Sequence, residues 1–203
     1  MNKKTNHFYS FLVRFLGVLF KVFYRFSVSG KENIPKYGSV VLVANHTSYF
    51  DPIVLGIAVF PRQVHFMAKE ELFEGRILGP IIKKLGTFPV RRGKYDRQTL
   101  KNSLRVLSKG EALALFPEGK RYRLADGKLG PLRKGAAFIA IKSGALVVPI
   151  GIKGTEKIFS EGSSIPQFPK IKVKIGKPLP SINNKEKLME KVGKDISLIL
   201  GEM

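Results

Sequence analysis

One histidine and one carboxylate in this chain have a spacing that could support acid–base chemistry. His46 follows the apolar run 40–44, and Asp51 stands five residues later, in the segment Asn-His-Thr-Ser-Tyr-Phe-Asp. A buried carboxylate on one imidazole nitrogen fixes the tautomer and stabilises the imidazolium, so the other nitrogen can take a proton from a hydroxyl or water. Because the sequence has no cysteine, the histidine would act directly on a substrate hydroxyl. Taken alone, the two residues are explained equally well as caps of a strand and a helix.

The elements around this pair predict where it lies. Residues 40–44 are apolar and mostly β-branched, which predicts a buried strand. Residues 53–60 have the apolar spacing of a helix, with Ser48 or Asp51 available to cap its start. In α/β proteins the crevice between a strand end and the following helix is the usual place for chemistry. The pair is therefore predicted to stand in such a crevice.

Strands and helices alternate along the rest of the chain. Further strands are predicted at residues 26–30, 63–68, 86–90, 112–116, 146–152 and 171–175, and helices at residues 73–85, 95–109, 136–142 and 188–199. This alternation predicts a single α/β domain at residues 28–203, with a largely parallel central sheet flanked by helices. Within it, Pro149 predicts that strand 146–152 lies at a sheet edge or carries a bulge.

Two other predicted strands also run into charged residues. Strand 112–116 continues into Pro117-Glu118-Gly119-Lys120-Arg121, where glycine lets the backbone approach a ligand closely and the two cations supply positive charge. Strand 86–90 continues into Arg91 and Arg92, whose guanidinium groups suit bidentate phosphate binding. A solvated basic turn explains the two arginines as well.

The net charge points to anionic partners. Thirty-six Lys and Arg residues against fifteen Asp and Glu give a formal charge of +21 over 203 residues. Such a field favours nucleic acid, an anionic membrane face, or acidic substrates and carriers. The absence of cysteine excludes disulfides and thiolate metal sites.

Residues 1–27 have the composition of a membrane-binding segment. They contain no Asp or Glu, and a helix would collect Ser10, Arg14, Gly17 and Lys21 on one stripe, leaving an apolar surface rich in Phe. Because Arg14 and Lys21 interrupt the apolar run that a spanning helix requires, an amphipathic helix in the interface of an anionic bilayer is predicted. Two short helices meeting near Gly17 are one variant of this prediction. A helix packed on the domain's own core is the alternative.

Four segments together resemble the sequence blocks of the glycerolipid acyltransferases of the 1-acylglycerol-3-phosphate acyltransferase type. Residues 45–51 resemble the family's His-four-residues-Asp block, residues 86–92 its block ending in Val-Asp-Arg, residues 116–121 its Phe-Pro-Glu-Gly-Thr-Arg block, and residues 147–150 its Val-Pro-Ile block. They occur in the family's order, and together they form a specific signal.

Three positions depart from the family's blocks. Lys120 stands where threonine is usual, Tyr122 where serine is common, and Arg91 in the aspartate position. The two added cations make the expected phosphate pocket more basic and leave the finer choice of acceptor open.

The resemblance implies an acyl transfer reaction. An acyl-CoA or acyl carrier protein would donate a fatty acyl group to the free sn-2 hydroxyl of lysophosphatidic acid, giving phosphatidic acid, with no metal or bound cofactor. His46, oriented by Asp51, would deprotonate the hydroxyl. Lys69, at the end of strand 63–68, would be a candidate donor to the oxyanion, with backbone amides.

Binding roles also follow from the resemblance. Arg92 and Arg121 would hold the acceptor phosphate, with Arg91 and Lys120 as secondary candidates. The remaining positions concern the shape of the pocket: Glu118 would order the turn that contains Gly119 or bind a glycerol hydroxyl, and Pro149 would shape the acceptor pocket.

A membrane substrate implies a membrane-associated enzyme, expected as a peripheral or monotopic protein on the cytoplasmic face of the cell membrane, in contact with anionic lipids. Other acceptors remain as alternatives: glycerol 3-phosphate, a lysophospholipid with a head group, or an aminolipid. A non-enzymatic basic protein that binds membranes or nucleic acid would explain the charge but not the histidine–carboxylate pair. Nucleic acid is not expected, because the aromatic residues concentrate near the N-terminus.

Overall fold

The computed structural model describes residues 6–91, 96–122, 129–159 and 165–203. Its centre is a seven-stranded sheet with the spatial order β1-β7-β6-β2-β5-β3-β4. The strands are β1 (Ser27–Ser29), β2 (Val40–Ala44), β3 (Val64–Lys69), β4 (Phe88–Val90), β5 (Ala112–Leu115), β6 (Leu146–Lys153) and β7 (Lys172–Ile175). Neighbouring strands are parallel except β6 and β7. The prediction of a largely parallel α/β sheet is therefore confirmed.

Helices cover both faces of the sheet. They are α1 (His7–Tyr24), α2 (Asp51–Val59), α3 (Leu78–Lys84), α4 (Arg97–Ser108), α5 (Gly135–Ser143) and α6 (Lys185–Gly201). Helices α1 and α2 pack in one hydrophobic cluster with one face of the sheet, and α4, α5 and α6 pack in a second cluster with the other face.

Strand β2 lies at the centre of this core. All five of its residues are buried, and they alternate between the two clusters: Val40, Leu42 and Ala44 face α2, whereas Val41 and Val43 face the opposite helices. A parallel strand covered on both faces is apolar throughout, which is the pattern that the sequence shows. The central position of β2 places the residue that follows it, His46, at the middle of the sheet's carboxyl edge.

The predicted edge position of Pro149 is wrong. Strand β6 lies inside the sheet, between β2 and β7. Ile150 pairs with Ile175, whereas Val147 pairs with Leu179, so three steps along β6 face four along the partner segment. This local irregularity lies opposite Pro149. Because the partner segment departs from the regular ladder there, the missing N–H of proline is tolerated inside the sheet.

Helix α3 is shorter than the prediction for residues 73–85. A 3₁₀ turn at Glu70–Phe73 comes first, and α3 begins at Leu78. A Cβ added at Gly79 would stand 2.3 Å from the carbonyl oxygen of Phe73. Glycine therefore allows the first turn of α3 to pack directly on the preceding 3₁₀ turn.

Helix α1 is continuous from His7 to Tyr24, so the variant with two short helices is wrong. Gly17 lies inside it and faces α2, where an added Cβ would be 3.4 Å from Ile57. One side of α1 buries Tyr9, Val13 and Phe20. The other side exposes a row of large apolar residues: Phe11, Phe15, Val18 and Val22. The helix thus packs on the domain and still presents an apolar surface to the outside.

Candidate active site

The histidine and the carboxylate meet directly where β2 turns into α2. His46 Nδ1 lies 2.8 Å from Oδ2 of Asp51, whose side chain is fully buried. The same oxygen accepts the backbone N–H groups of Thr47 and Ser48, each at 2.7 Å. An ionised carboxylate accepts several such bonds, and the imidazole then donates from Nδ1. The turn therefore fixes the carboxylate and, through it, the orientation of the histidine ring.

A residue from β6's side of the sheet completes this arrangement. The buried hydroxyl of Thr155 donates to Oδ1 of Asp51 at 2.6 Å. Nearby, the Asn45 side chain continues the sheet ladder by exchanging two hydrogen bonds with the backbone of Ile152, at 2.9 and 2.8 Å. Sequence reasoning missed Thr155 and the role of Asn45, since neither belongs to a local pattern of ionisable residues.

The turn after β5 approaches His46 from the neighbouring strand. The ring of Phe116 stacks on the imidazole, with 4.3 Å between ring centroids. Glu118 Oε1 accepts the backbone N–H of His46 at 2.8 Å, and Oε2 accepts the backbone N–H of Gly130 at 3.1 Å. Burial raises the pKa of Glu118, while the two amide donors act against that rise. The Glu118 carboxylate thus joins three chain segments behind the histidine.

Glycine is required where these segments meet. Gly119 has a φ of +71°, which an L side chain rarely adopts. A Cβ added at Gly130 would stand 2.7 Å from Oε2 of Glu118 and 2.5 Å from the Tyr122 ring. Tyr122 in turn donates its backbone N–H to the carbonyl of His46 at 2.9 Å. Close backbone approach therefore holds the two turns together.

Two of the predicted phosphate-binding cations lie beside this crevice. The Arg121 guanidinium lies 3.4 Å from the ring centroid of Tyr49 and donates to its hydroxyl at 2.8 Å. Lys120 lies 4.7 Å from the centroid of the Tyr122 ring. Both cations are exposed. Arg121 thus connects the turn after β5 to the turn that carries His46 and Asp51, and its charge remains open to a ligand.

The other cations stand at the ends of the outer strands. Lys69 ends β3, and its ammonium lies 2.6 Å from Glu71. Arg91 follows β4 and makes a bidentate contact with Glu70, at 2.8 and 3.1 Å. Arg92 lies outside the described residues. The structure therefore brings His46, Asp51, Glu118 and Arg121 into one connected set, and it places Lys69 and Arg91 along the same edge with glutamate partners.

Pro149 lies within β6, paired with Val43 of β2, just below the strand end that carries His46. Its side chain is buried. Within the described ranges, no group of three His, Cys, Asp or Glu side chains is arranged to hold a metal ion. The geometry supports proton transfer by an oriented imidazole next to exposed cations, which is the chemistry of a general base acting on an anionic substrate.

Comparison with known proteins decides the family. The profile of the acyltransferase family matches residues 25–153, which include all four segments and both turns described above. The chain belongs to the acyltransferase family. Members of this family with similar sequences include the 1-acyl-sn-glycerol-3-phosphate acyltransferase of Bacillus subtilis (strain 168), which is 33% identical over 171 residues, covering 84% of this chain and 82% of that protein.

Two further acyltransferases extend the comparison. The chloroplastic 1-acyl-sn-glycerol-3-phosphate acyltransferase LPAT1 of Arabidopsis thaliana is 33% identical over 87% of this chain, a match that spans 49% of the longer plant protein. The crystal structure of the 1-acyl-sn-glycerophosphate (LPA) acyltransferase PlsC from Thermotoga maritima superposes with a TM-score of 0.75 and 28% identity, covering 96% of this chain and 88% of that one. The predicted fold and family are therefore confirmed.

Proposed function

We propose that this acyltransferase moves a fatty acyl group from an acyl thioester to the sn-2 hydroxyl of 1-acyl-glycerol 3-phosphate, forming phosphatidic acid. The observation that carries the proposal is the 2.8 Å contact between His46 and the buried Asp51 at the centre of the sheet's carboxyl edge. The names of the bacterial and plant relatives support the same substrate. The donor is an acyl carrier protein thioester or an acyl-CoA.

In the proposed mechanism, Nε2 of His46 takes the hydroxyl proton while Nδ1 remains bound to Asp51. The hydroxyl oxygen attacks the thioester carbonyl, and a tetrahedral oxyanion forms. Collapse of this intermediate breaks the carbon–sulfur bond, and the departing thiolate takes the proton from the imidazolium. The ester and a free thiol result, and His46 is neutral again. No acyl-enzyme is required.

The acceptor phosphate is assigned to the cations around the crevice. Arg121 is the primary described candidate because Tyr49 holds its guanidinium beside the turn that contains His46. Lys120 and Arg91 are secondary candidates, and Arg92 retains its proposed role from the family resemblance. Planar guanidinium groups bind phosphate bidentately, which suits this task.

Supporting roles fall to residues that the substrate need not touch. The hydrogen bonds of Glu118 to His46 and Gly130 support the role of ordering the turn around Gly119. Pro149 is proposed to shape the acceptor pocket from β6. Lys69 is proposed to donate to the oxyanion with backbone amides, and for this its ammonium would exchange Glu71 for the substrate oxygen.

Residues 1–27 are proposed to attach the enzyme to anionic lipids on the cytoplasmic face of the cell membrane. Helix α1 has 18 residues with a mean hydropathy of 1.3, which is long and apolar enough to cross a membrane by length and composition. Its contacts with α2 along one side favour a position in the interface, parallel to the domain surface. Residues 28–203 form the proposed catalytic domain.

An acceptor panel tests the substrate. The purified protein is given an acyl-CoA or an acyl carrier protein thioester with lysophosphatidic acid, glycerol 3-phosphate, lysophosphatidylcholine or an aminolipid in mixed micelles. We expect phosphatidic acid to be the main product. Faster turnover of another acceptor would reject lysophosphatidic acid as the substrate while retaining acyl transfer. Absence of every acylated product with both donors would reject the proposed function.

A further inference from the structure

A second cluster of exposed apolar side chains lies outside α1. Leu72, Ile77, Leu78 and Ile81, here called the α3 patch, have exposed fractions of 39%, 78%, 48% and 36%. They lie within ten consecutive residues of the connection between β3 and β4. Scattered exposed leucines are ordinary on a protein surface, but a contiguous patch of large apolar groups indicates a contact surface.

The α3 patch is continuous with the exposed side of α1. Asn6, which caps α1, donates through Nδ2 to the carbonyl of Lys84 at the end of α3, at 3.2 Å. The Lys84 ammonium lies 4.4 Å from the ring centroid of Phe8. The connections β2–β3 and β3–β4 both advance across the sheet in the same direction, so right-handed crossovers place α2 and α3 on the same face. Both α1 and α3 therefore lie on the α2 side of the sheet.

Charge around the α3 patch suits an anionic lipid surface. Arg76, Lys83 and Lys84 lie within or beside it. Of the three acidic residues in the same connection, Glu70 contacts Arg91 and Glu71 contacts Lys69, which leaves Glu74 as the third. The whole chain carries a charge of +21, so lipid head groups of negative charge are attracted to this side as well.

We propose that the α3 patch is a second membrane contact, which inserts its apolar side chains into the same anionic bilayer as α1. The inference rests on the proposed membrane attachment of α1 and extends it to a separate element. The connection that carries the patch begins at Lys69, at the carboxyl end of β3. A bilayer contact here would hold that strand end, and with it the catalytic edge of the sheet, against the membrane from which the acceptor arrives.

Tryptophan fluorescence tests the contact, because the sequence contains no tryptophan. Three single variants are made in the full chain: Ile77→Trp in the α3 patch, Phe15→Trp on α1, and Leu198→Trp on α6. Leu198 is the matched control, since it is 56% exposed but lies on a helix of the opposite face. Each protein is mixed with vesicles of phosphatidylglycerol and phosphatidylcholine, with or without bromine on the acyl chains.

We expect the emission of Ile77→Trp and Phe15→Trp to shift to shorter wavelength and to be quenched by the brominated lipids, with Leu198→Trp unchanged. Quenching of Phe15→Trp without quenching of Ile77→Trp would overturn the α3 contact and leave the α1 attachment intact. Equal quenching of Leu198→Trp would overturn it as non-specific. Absence of quenching at all three positions would overturn both, whereas the acceptor panel in micelles tests acyl transfer separately.

Two further measurements keep the assignment specific. A concentration-dependent blue shift of Ile77→Trp without vesicles would assign the patch to a second copy of the chain instead. Ile77→Glu is expected to weaken the partition of the protein into anionic vesicles, and Leu198→Glu is expected to leave it unchanged. Equal partition of the two glutamate variants would contradict the membrane contact.

Discussion

The hydroxyl of Thr155 lies 2.6 Å from Oδ1 of Asp51, although the two residues are 104 positions apart in the sequence. The other oxygen of Asp51 accepts from His46 and from two backbone amides. Both carboxylate oxygens are thus held, so the carboxylate cannot rotate away from the imidazole. Thr155 is on this view a positioning residue, acting on the histidine through Asp51.

Replacing Thr155 with valine removes the hydroxyl and keeps the shape of the side chain. We expect kcat to fall roughly tenfold, because one buried hydrogen bond to a charged group is worth about 1.5–3 kcal/mol, with KM for lysophosphatidic acid little changed. The acidic side of the pH–rate profile should move to higher pH, since the carboxylate loses a donor. Steady-state kinetics across pH checks this, and Thr155→Ser should restore the rate. An unshifted profile would restrict Thr155 to a structural role.

Loss of Arg121 should weaken acceptor binding selectively. We expect Arg121→Ala to raise KM for lysophosphatidic acid roughly tenfold to a hundredfold, the range for charge-assisted hydrogen bonds to phosphate. Arg121→Lys keeps the charge but loses the planar fork and should recover only part of the affinity. KM for the acyl donor is measured in parallel. Arg105→Ala on α4 is the control for charge alone, and an equal effect of that variant would reject a specific phosphate site.

The buried carboxylate of Glu118 predicts a pH-dependent stability. Because burial raises its pKa in the folded protein above the ordinary value of 4.5, the folded state holds this proton more tightly than the unfolded chain does. The stabilisation that results is complete below about pH 4.5 and is lost as pH rises through the raised pKa. The free energy of unfolding of the wild type, relative to Glu118→Gln, should therefore decline over this interval. Denaturant unfolding at a series of pH values measures it, and a pH-independent difference would contradict the assignment.

Asp96 predicts the opposite pH dependence at the start of α4. It caps the helix by accepting the backbone N–H groups of Gln98 and Thr99, at 2.9 and 3.1 Å, and hydrogen bonds from Thr99 lower its pKa below 3.8. We expect Asp96→Ala to lower the free energy of unfolding by about 1 kcal/mol at neutral pH. The loss should shrink as pH falls through the lowered pKa. Glu190→Ala, at an exposed position within α6, should show no comparable loss.

Local sequence patterns predicted the part of the site that a single turn contains. His46 and Asp51 stand on one strand-to-helix connection, so their spacing was sufficient to expect their contact. The join between the turns after β2 and β5 depends instead on strand order, which brings Glu118 to the backbone of His46. No spacing in the sequence encodes that neighbourhood.

The two sequence-level failures have the same cause. Thr155 is an uncharged residue after β6, and only the parallel pairing of β6 with β2 carries it to Asp51. Pro149 predicted a sheet edge because proline lacks a backbone donor, yet the partner segment on the β7 side is irregular at that level. Both depend on pairing between distant strands, which residue preferences along the chain do not specify.

General-base catalysis by His46 is tested most directly by measuring phosphatidic acid formation with the wild type and His46→Ala in mixed micelles. The rate should fall at least about a hundredfold, the lower range for loss of a positioned general base. Thermal unfolding must show that the variant is folded, and His7→Ala, at an exposed histidine on α1, should keep the wild-type rate. Turnover by folded His46→Ala at close to the wild-type rate would contradict the mechanism.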